Sequence, residues 1–241
     1  MVANYYKPRI RWQLMFYPLI SLVAFALGMM AYNPGTPESG FWFTGLLQYF
    51  VMFGPLVIAF RRDWDMSITL PARASEKATF LVIYSLVILP VLALAPCDIA
   101  MNIAYGRSLF VAGPVADPQV AALLPDAAVQ RAMNILGVLF ATSVCACVVM
   151  TSRRRVVLKS VLFILLSNLG LGFITAIVTM FMPGMNALTT AAPKLHTAGA
   201  ATDALVPVMN SVYSLLIPFT AAGIVLFILL IYRGAARRMA K

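Results

Sequence analysis

The 241-residue chain is 62% hydrophobic and 11% charged, and its formal net charge is +10. A soluble domain normally carries about 25% charged residues, so a soluble core cannot enclose this much apolar surface. The composition excludes the ordinary soluble classes and predicts an integral membrane protein.

Six charge-free apolar runs are each long enough to cross the hydrocarbon of a bilayer, which takes roughly 20 helical residues. Their richness in Leu, Ala, Phe and Met favours helices over the alternating strands of a membrane barrel. We therefore predict an all-α fold, with one six-helix transmembrane domain over residues 1–241. The predicted spans lie near 13–32, 41–60, 78–97, 132–151, 160–182 and 208–232.

The basic residues are distributed unevenly between the predicted loops. Fifteen of the 18 fall before span 1, between spans 2 and 3, between spans 4 and 5, or after span 6. The positive-inside rule then places both termini in the cytoplasm, and we predict a bacterial cytoplasmic (inner) membrane. The net charge reflects this topology and an attraction for anionic lipid, and we expect no nucleic-acid partner.

The first residues, Asn4 to Trp12, mix aromatic and cationic side chains ahead of span 1. Such a segment lies at the level of the lipid headgroups, either as a simple entry anchor or as a dedicated elbow helix. Prolines then recur within or at the ends of the predicted helices, where each removes a backbone donor and sets either shape or a hinge. They are Pro18, Pro55, Pro90, Pro96 and Pro218.

The segment between spans 2 and 3, Arg61 to Lys77, reads RRDWDMSITLPARASEK and holds seven charged residues. Its flanks carry no charge, so the segment must lie in water. Pro71 fixes the chain before a helix that we expect to begin at Glu76, with Ser75 as its cap. The helix dipole favours an acidic residue such as Glu76 in the first turn.

Few polar side chains fall inside the spans. Asp98, at the outer end of span 3, is expected at the interface, with a proton or cation role as the alternative. Asn168 should face protein or a cavity, because its amide is costly against lipid. Together with Asn210 and Ser214, it is a candidate for a pathway or a seam between helices, and ordinary helix-to-helix hydrogen bonding is the alternative.

Motifs for catalysis and cofactors are missing from the sequence. GxxxxGK[ST], HExxH, GxSxG and GxGxxG do not occur, and His196 is the only histidine. Cys145 and Cys147 point about 200° apart on a helix, so we expect them, like Cys97, to be apolar filler. We predict that the chain is not an enzyme and has no catalytic residue, cofactor or metal.

The string Leu70–Lys77, LPARASEK, resembles the LP-x-S/R-x-x-E-K/I stretch of ABC type-2 exporter permeases and their uncharacterised bacterial relatives. The resemblance implies a permease of an unknown substrate, in which two six-helix subunits form a homo- or heterodimer. It also implies that this loop contacts a separate ATP-binding subunit. A long connection between spans 3 and 4 departs from the family pattern. The implied docking residues are Asp63, Trp64, Asp65, Pro71, Arg73, Glu76 and Lys77. The alternative is that this loop is a solvated connector whose cations only follow the positive-inside rule.

A second functional class remains open from the sequence. A non-transporting assembly or immunity protein can use the same basic cytoplasmic face to bind a partner or lipid. A separate ATP-binding subunit distinguishes the two classes, because only the permease requires one.

Overall fold

The computed structural model describes residues 2–30, 42–59, 73–106, 108–111, 126–152, 155–181 and 198–239. These ranges contain eight α-helices and one π-helical segment, and they contain no strand, which confirms the all-α prediction for the described part. The elements are α1 (Val2–Met30), α2 (Trp42–Phe53), α3 (Leu56–Ala59), α4 (Ala74–Ile83), the π-helical segment Tyr84–Ile88, α5 (Leu89–Tyr105), α6 (Ala127–Thr151), α7 (Val156–Phe181) and α8 (Ala198–Met239).

Five stretches within these helices are long and apolar enough to cross a membrane, and they overlap five of the six predicted spans. They characterise the chain as an integral membrane protein. The stretches are Ile10–Met30, Ala74–Tyr105, Ala127–Thr151, Val156–Ile174 and Val212–Arg237.

The remaining predicted span, 41–60, is not one continuous helix. It consists of α2 and α3, which are separated by a turn at Gly54 and Pro55. Pro55 has no backbone N–H to continue the hydrogen-bond ladder of α2, which is the physical reason for the interruption.

The aromatic and basic entry segment lies inside α1, which continues through Pro8 and Pro18 to Met30. The entry segment is thus the first part of a long helix and not a separate elbow helix. Trp12 and Phe16 stack on its exposed side, with ring centroids 5.2 Å apart. This placement agrees with an aromatic anchor where the helix enters the bilayer.

Helix α6 lies at the centre of the described helices, and every residue from Phe140 to Met150 is buried. The Phe140 ring meets the Phe227 ring of α8 edge to face, with centroids 5.6 Å apart. Ile164 of α7 packs into the same small cluster. By contrast, the outer faces of α1, α7 and α8 expose large apolar side chains, as lipid-facing helices do.

The polar and sulfur-containing side chains in the buried part of α6 lie among the packed helices. The Thr142 hydroxyl donates to the Val138 carbonyl oxygen at 2.7 Å, which satisfies it without another helix. Cys145, Cys147 and Cys97 of α5 are free and buried. The prediction that the cysteines fill apolar space is therefore confirmed.

Helix α4, the π-helical segment and α5 follow one another without a break and form one continuous helical rod of 32 residues, Ala74–Tyr105. The Leu89 N–H donates to the Tyr84 carbonyl oxygen, five residues earlier instead of four. The ring of Pro90 would crowd the carbonyl one turn before it in a regular α-helix. The wider π turn removes that clash, so the helix continues past Pro90.

Candidate functional site

The turn between α2 and α3 leaves backbone carbonyls without their usual helical partners. The Gly54 N–H donates to the Val51 carbonyl oxygen at 3.1 Å, three residues back, and therefore not to Phe50. The Val57 N–H reaches the Gly54 carbonyl oxygen in the same tightened manner, at 3.2 Å. In an apolar segment, a carbonyl released in this way must find a donor elsewhere in the protein.

Two side chains of α1 supply those donors. The Tyr17 hydroxyl donates to the Phe50 carbonyl oxygen at 3.0 Å. Gln13 Nε2 donates to the Gly54 carbonyl oxygen at 3.1 Å and to the Tyr17 hydroxyl at 2.9 Å. Gln13 and Tyr17 are spaced by four residues, so they lie on one face of α1, and both are buried.

The π-helical segment completes this network. The Tyr84 hydroxyl donates to Gln13 Oε1, so that Gln13 connects α1, the α2–α3 turn and the π segment. The Tyr84 ring is fully buried and stacks on Phe80, with centroids 5.8 Å apart. We call Gln13, Tyr17, Phe50, Gly54 and Tyr84 the Gln13 junction.

Gly54 also brings the two irregular segments into direct contact. A Cβ atom at position 54 would collide with Leu89 Cδ1, at the start of α5. Leu89 is itself fully buried, so it has little room to move away. Glycine is thus required at this position by close packing, in addition to any effect on the turn.

The chemistry of the junction is that of uncharged hydrogen-bonding groups. An amide, two phenol groups and two backbone carbonyls satisfy one another. Such a network fixes the relative positions of three elements, because Gln13 and Tyr17 bind the α2–α3 turn and the buried Tyr84 hydroxyl binds Gln13. The junction therefore suits the control of a helix bend better than chemistry on a substrate.

The predicted docking residues lie partly outside the described residues. The residues outside are Asp63, Trp64, Asp65 and Pro71, and His196 with the loop around it lies outside as well. Arg73 and Glu76 are described, and both are exposed, at the N-terminus of α4. They are therefore available for contact with a partner.

Helix α4 begins two residues earlier than predicted. Arg73 is its N-cap, with an extended backbone at φ −62° and ψ 152°, and Ala74 is the first helical residue. Ser75 is therefore inside the helix, which corrects its prediction as a cap. Because the helix includes Lys77, this side chain lies on the same face as Ala78 and Leu81 and is only 1% exposed.

The candidates for a seam lie on α7 and α8. Asn168 is exposed on α7 and no other described helix covers it, so within the described residues the expectation that its amide faces protein or a cavity is not met. Ser214 is exposed on α8, and the Asn210 side chain lies outside the described part. The described contacts do not unite the three residues into one site.

The Gln13 junction was not identified from the sequence. Gln13 and Tyr17 at a spacing of four in an apolar helix, and the Gly54–Pro55 pair in another, were the available signals. Neither signal specifies its partner, because the hydrogen bonds connect residues up to 71 positions apart.

The comparisons with known proteins do not assign a family. The chain matches no protein-family model, and no curated protein or solved structure is significantly similar to it.

Proposed function

We propose that this chain is the membrane-spanning permease subunit of a transporter that is driven by a separate ATP-binding subunit. The observation that carries the proposal is the interrupted α2–α3 segment and its anchoring by the Gln13 junction. Non-helical backbone at membrane depth is tolerated only where protein or a water-filled cavity surrounds it, and broken helices are a recurrent feature of transporters.

In this proposal α2 and α3 together form span 2, which brings the number of membrane crossings to six. The basic residues are concentrated in the first part of α1, between α3 and the first turn of α4, between α6 and the first turn of α7, and at the C-terminal end of the chain from the last part of α8. This distribution supports a topology with both termini in the cytoplasm. The bacterial cytoplasmic membrane is the location that this topology suits. The substrate and the direction of transport are left open by these residues.

The exposed start of α4 is placed well for coupling to an ATP-binding partner. Glu76 and Tyr84 are eight residues apart on one continuous helical rod, which corresponds to about 12 Å along its axis. A partner that displaces Glu76 would move Tyr84, and through Gln13 it would move the α2–α3 turn. The LPARASEK resemblance supports the same docking surface.

A second six-helix subunit is the partner that we propose for α7. Asn168 lies near the middle of this helix, and the nearby side chains of Leu169 and Phe173 are 70% and 68% exposed. An amide in contact with lipid loses its hydrogen bonds, whereas an amide against another copy regains them. The exposed part of α7 is therefore the proposed dimer seam.

The docking proposal is tested by co-purification. A tagged chain is isolated from its native membrane, and the associated ATP-binding subunit is quantified for the wild type, for Glu76→Lys and for Glu38→Lys. Reversing the charge at Glu76 should reduce association, because it removes an acidic contact from an exposed surface. Membrane levels should stay the same, since added positive charge agrees with the predicted cytoplasmic side.

The Glu38→Lys control lies in the predicted external loop between spans 1 and 2, so it should not affect association. Equal association for all three proteins would contradict docking at α4. Isolation of the chain without any ATP-binding subunit would favour the non-transporting assembly or immunity protein, with the basic face binding another partner or lipid.

A further inference from the structure

A groove of about 200 Å³ lies between α5 and α6, on the other side of the π-helical segment from α4. Pro90, Val91 and Leu94 line it from α5, and Ile135 and Val138 line it from α6. Val91 is 56% exposed, so the groove opens towards the surrounding lipid. Its length from Pro90 to Asp98 is about 12 Å along the helix axis.

Among the described residues, one charged side chain lines the groove: the half-buried Asp98, at the end nearest to the C-terminus of α5. Asp98 Oδ1 accepts hydrogen bonds from the Ser108 hydroxyl and from the Leu109 N–H, both at 2.7 Å. Gly106 adopts a left-handed conformation, with φ 65°, that ends α5 and turns the chain back towards Asp98. Phe110 then closes this end of the groove.

The two hydrogen bonds hold the carboxylate in a fixed position. Both are accepted by Oδ1, and Oδ2 accepts none from the described residues. The groove therefore ends in an oriented carboxylate, and among the described residues its Oδ2 is open to a ligand.

We propose that this groove binds a cationic amphiphile with a single alkyl chain. The alkyl chain occupies the apolar channel along α5, and the cationic head lies against Asp98 Oδ2. This binding site is independent of the proposed transport function, because it requires neither the partner ATPase nor the Gln13 junction.

The size and the charge of the groove determine the class of ligand. Sites that enclose a drug-sized ligand measure about 300–1,000 Å³, so this smaller, open groove suits one chain better than a diacyl lipid. Alkyl chains gain little on leaving a bilayer, whose interior is equally apolar. Selection among amphiphiles must therefore come from the carboxylate, which attracts a cation and repels an anion.

Binding can be measured with radiolabelled dodecyltrimethylammonium and the purified full chain in phosphatidylcholine nanodiscs, with empty nanodiscs as the background. We expect saturable binding of one molecule per chain. Unlabelled dodecylammonium should displace the probe, whereas dodecanol, with no charge, and tetramethylammonium, with no chain, should displace it at least about tenfold less well.

Two variants test the charge. Asp98→Asn keeps an oxygen that can accept both hydrogen bonds but removes the negative charge, and it should weaken binding at least about tenfold. Ser108→Ala removes one hydrogen bond and leaves the charge, so binding should remain within about twofold of the wild type. The same affinity for Asp98→Asn and the wild type would overturn the proposal.

Two further variants test the location. Val91→Trp fills the groove from an exposed position and should abolish saturable binding. Ile99→Trp makes a change of similar size at an exposed position of α5 outside the groove, so it should bind like the wild type. Binding that survives Val91→Trp, displacement by dodecanol as effective as by dodecylammonium, or a lack of saturable binding would each contradict the proposal.

Discussion

Gln13 and Gly54 are 41 residues apart in the sequence, yet Gln13 Nε2 donates to the Gly54 carbonyl oxygen at 3.1 Å. The bond attaches α1 to the point at which the α2–α3 segment departs from helical geometry. Tyr84 uses the other end of the same amide, so Gln13 connects three elements of the chain. The stability of this part of the membrane domain should therefore depend on one uncharged side chain.

Gln13→Ala should lower the free energy of unfolding by about 2 kcal/mol, because it leaves the buried Tyr84 hydroxyl without its partner and removes one of the two donors to the Gly54 carbonyl oxygen. The free energy can be measured by titrating detergent-solubilised protein with sodium dodecyl sulfate while following helicity by circular dichroism. Gln48→Ala on α2 is the matched control, since Gln48 is outside the junction, and it should cost less than about 0.5 kcal/mol. Equal losses for both variants would show that Gln13 contributes no more to the free energy of unfolding than a residue outside the junction.

Gly54→Ala should be destabilising by about 1–3 kcal/mol, because the new Cβ atom collides with the Leu89 side chain. Leu89→Ala alone removes a fully buried side chain and should cost about 2–5 kcal/mol. The double variant should lose at least about 1 kcal/mol less than the two single losses combined, since the smaller side chain makes room for the methyl group. Strictly additive losses would contradict the close approach of these residues.

Single cysteines should report the topology in a background in which Cys97, Cys145 and Cys147 are replaced by alanine. We expect Ser39→Cys and Thr197→Cys to react with a membrane-impermeant maleimide in intact cells. Ser67→Cys and Ser152→Cys should react only after permeabilisation, because their loops carry the basic residues. Labelling of Ser67→Cys from outside intact cells would show that the orientation is the opposite of the predicted one.

Asn168→Cys, in the same cysteine-free background, should form a disulfide between two copies in native membranes, because the proposed seam brings this position of α7 close to its symmetry mate. Leu162→Cys is the control, since Leu162 is 51% exposed on a different face of the same helix. Cross-linked dimers should appear on non-reducing gels for Asn168→Cys alone. Equal cross-linking at both positions would indicate random collisions and not a seam.

Most of the helical architecture could be predicted from the sequence, since charge-free runs of about 20 residues leave few alternatives in a membrane protein. The interruption of span 41–60 at Gly54 and Pro55 could not be predicted from the sequence in the same way. Pro90 and Pro218 also fall within predicted spans, and the chain remains helical through both. Whether a proline breaks a helix depends on the donors that neighbouring helices provide, here Gln13 and Tyr17.

The candidate site was less accessible to prediction for the same reason. Lys77 belongs to a highly charged segment, yet the start of α4 at Ala74 places it on the buried face with Leu81. Asn168 was expected to be covered, and it is exposed among the described residues although Ile164, one turn earlier on the same face of α7, packs against α6. In both cases tertiary packing decides the environment, whereas the sequence pattern supplies only the polarity of the residue.

The central claim, that the chain is a permease driven by a separate subunit, is tested most directly by ATP hydrolysis in reconstituted vesicles. Rates are compared for the chain alone, for the co-purified ATP-binding subunit alone and for the two together, with wild type or Glu76→Lys. The chain lacks a phosphate-binding GxxxxGK[ST] loop, so we expect no hydrolysis from it alone. The complex should hydrolyse ATP at a rate different from that of the isolated partner, and Glu76→Lys should return the rate to that of the partner alone. Saturable hydrolysis by the chain itself would contradict the account. So would a partner whose hydrolysis rate is changed neither by the wild-type chain nor by Glu76→Lys.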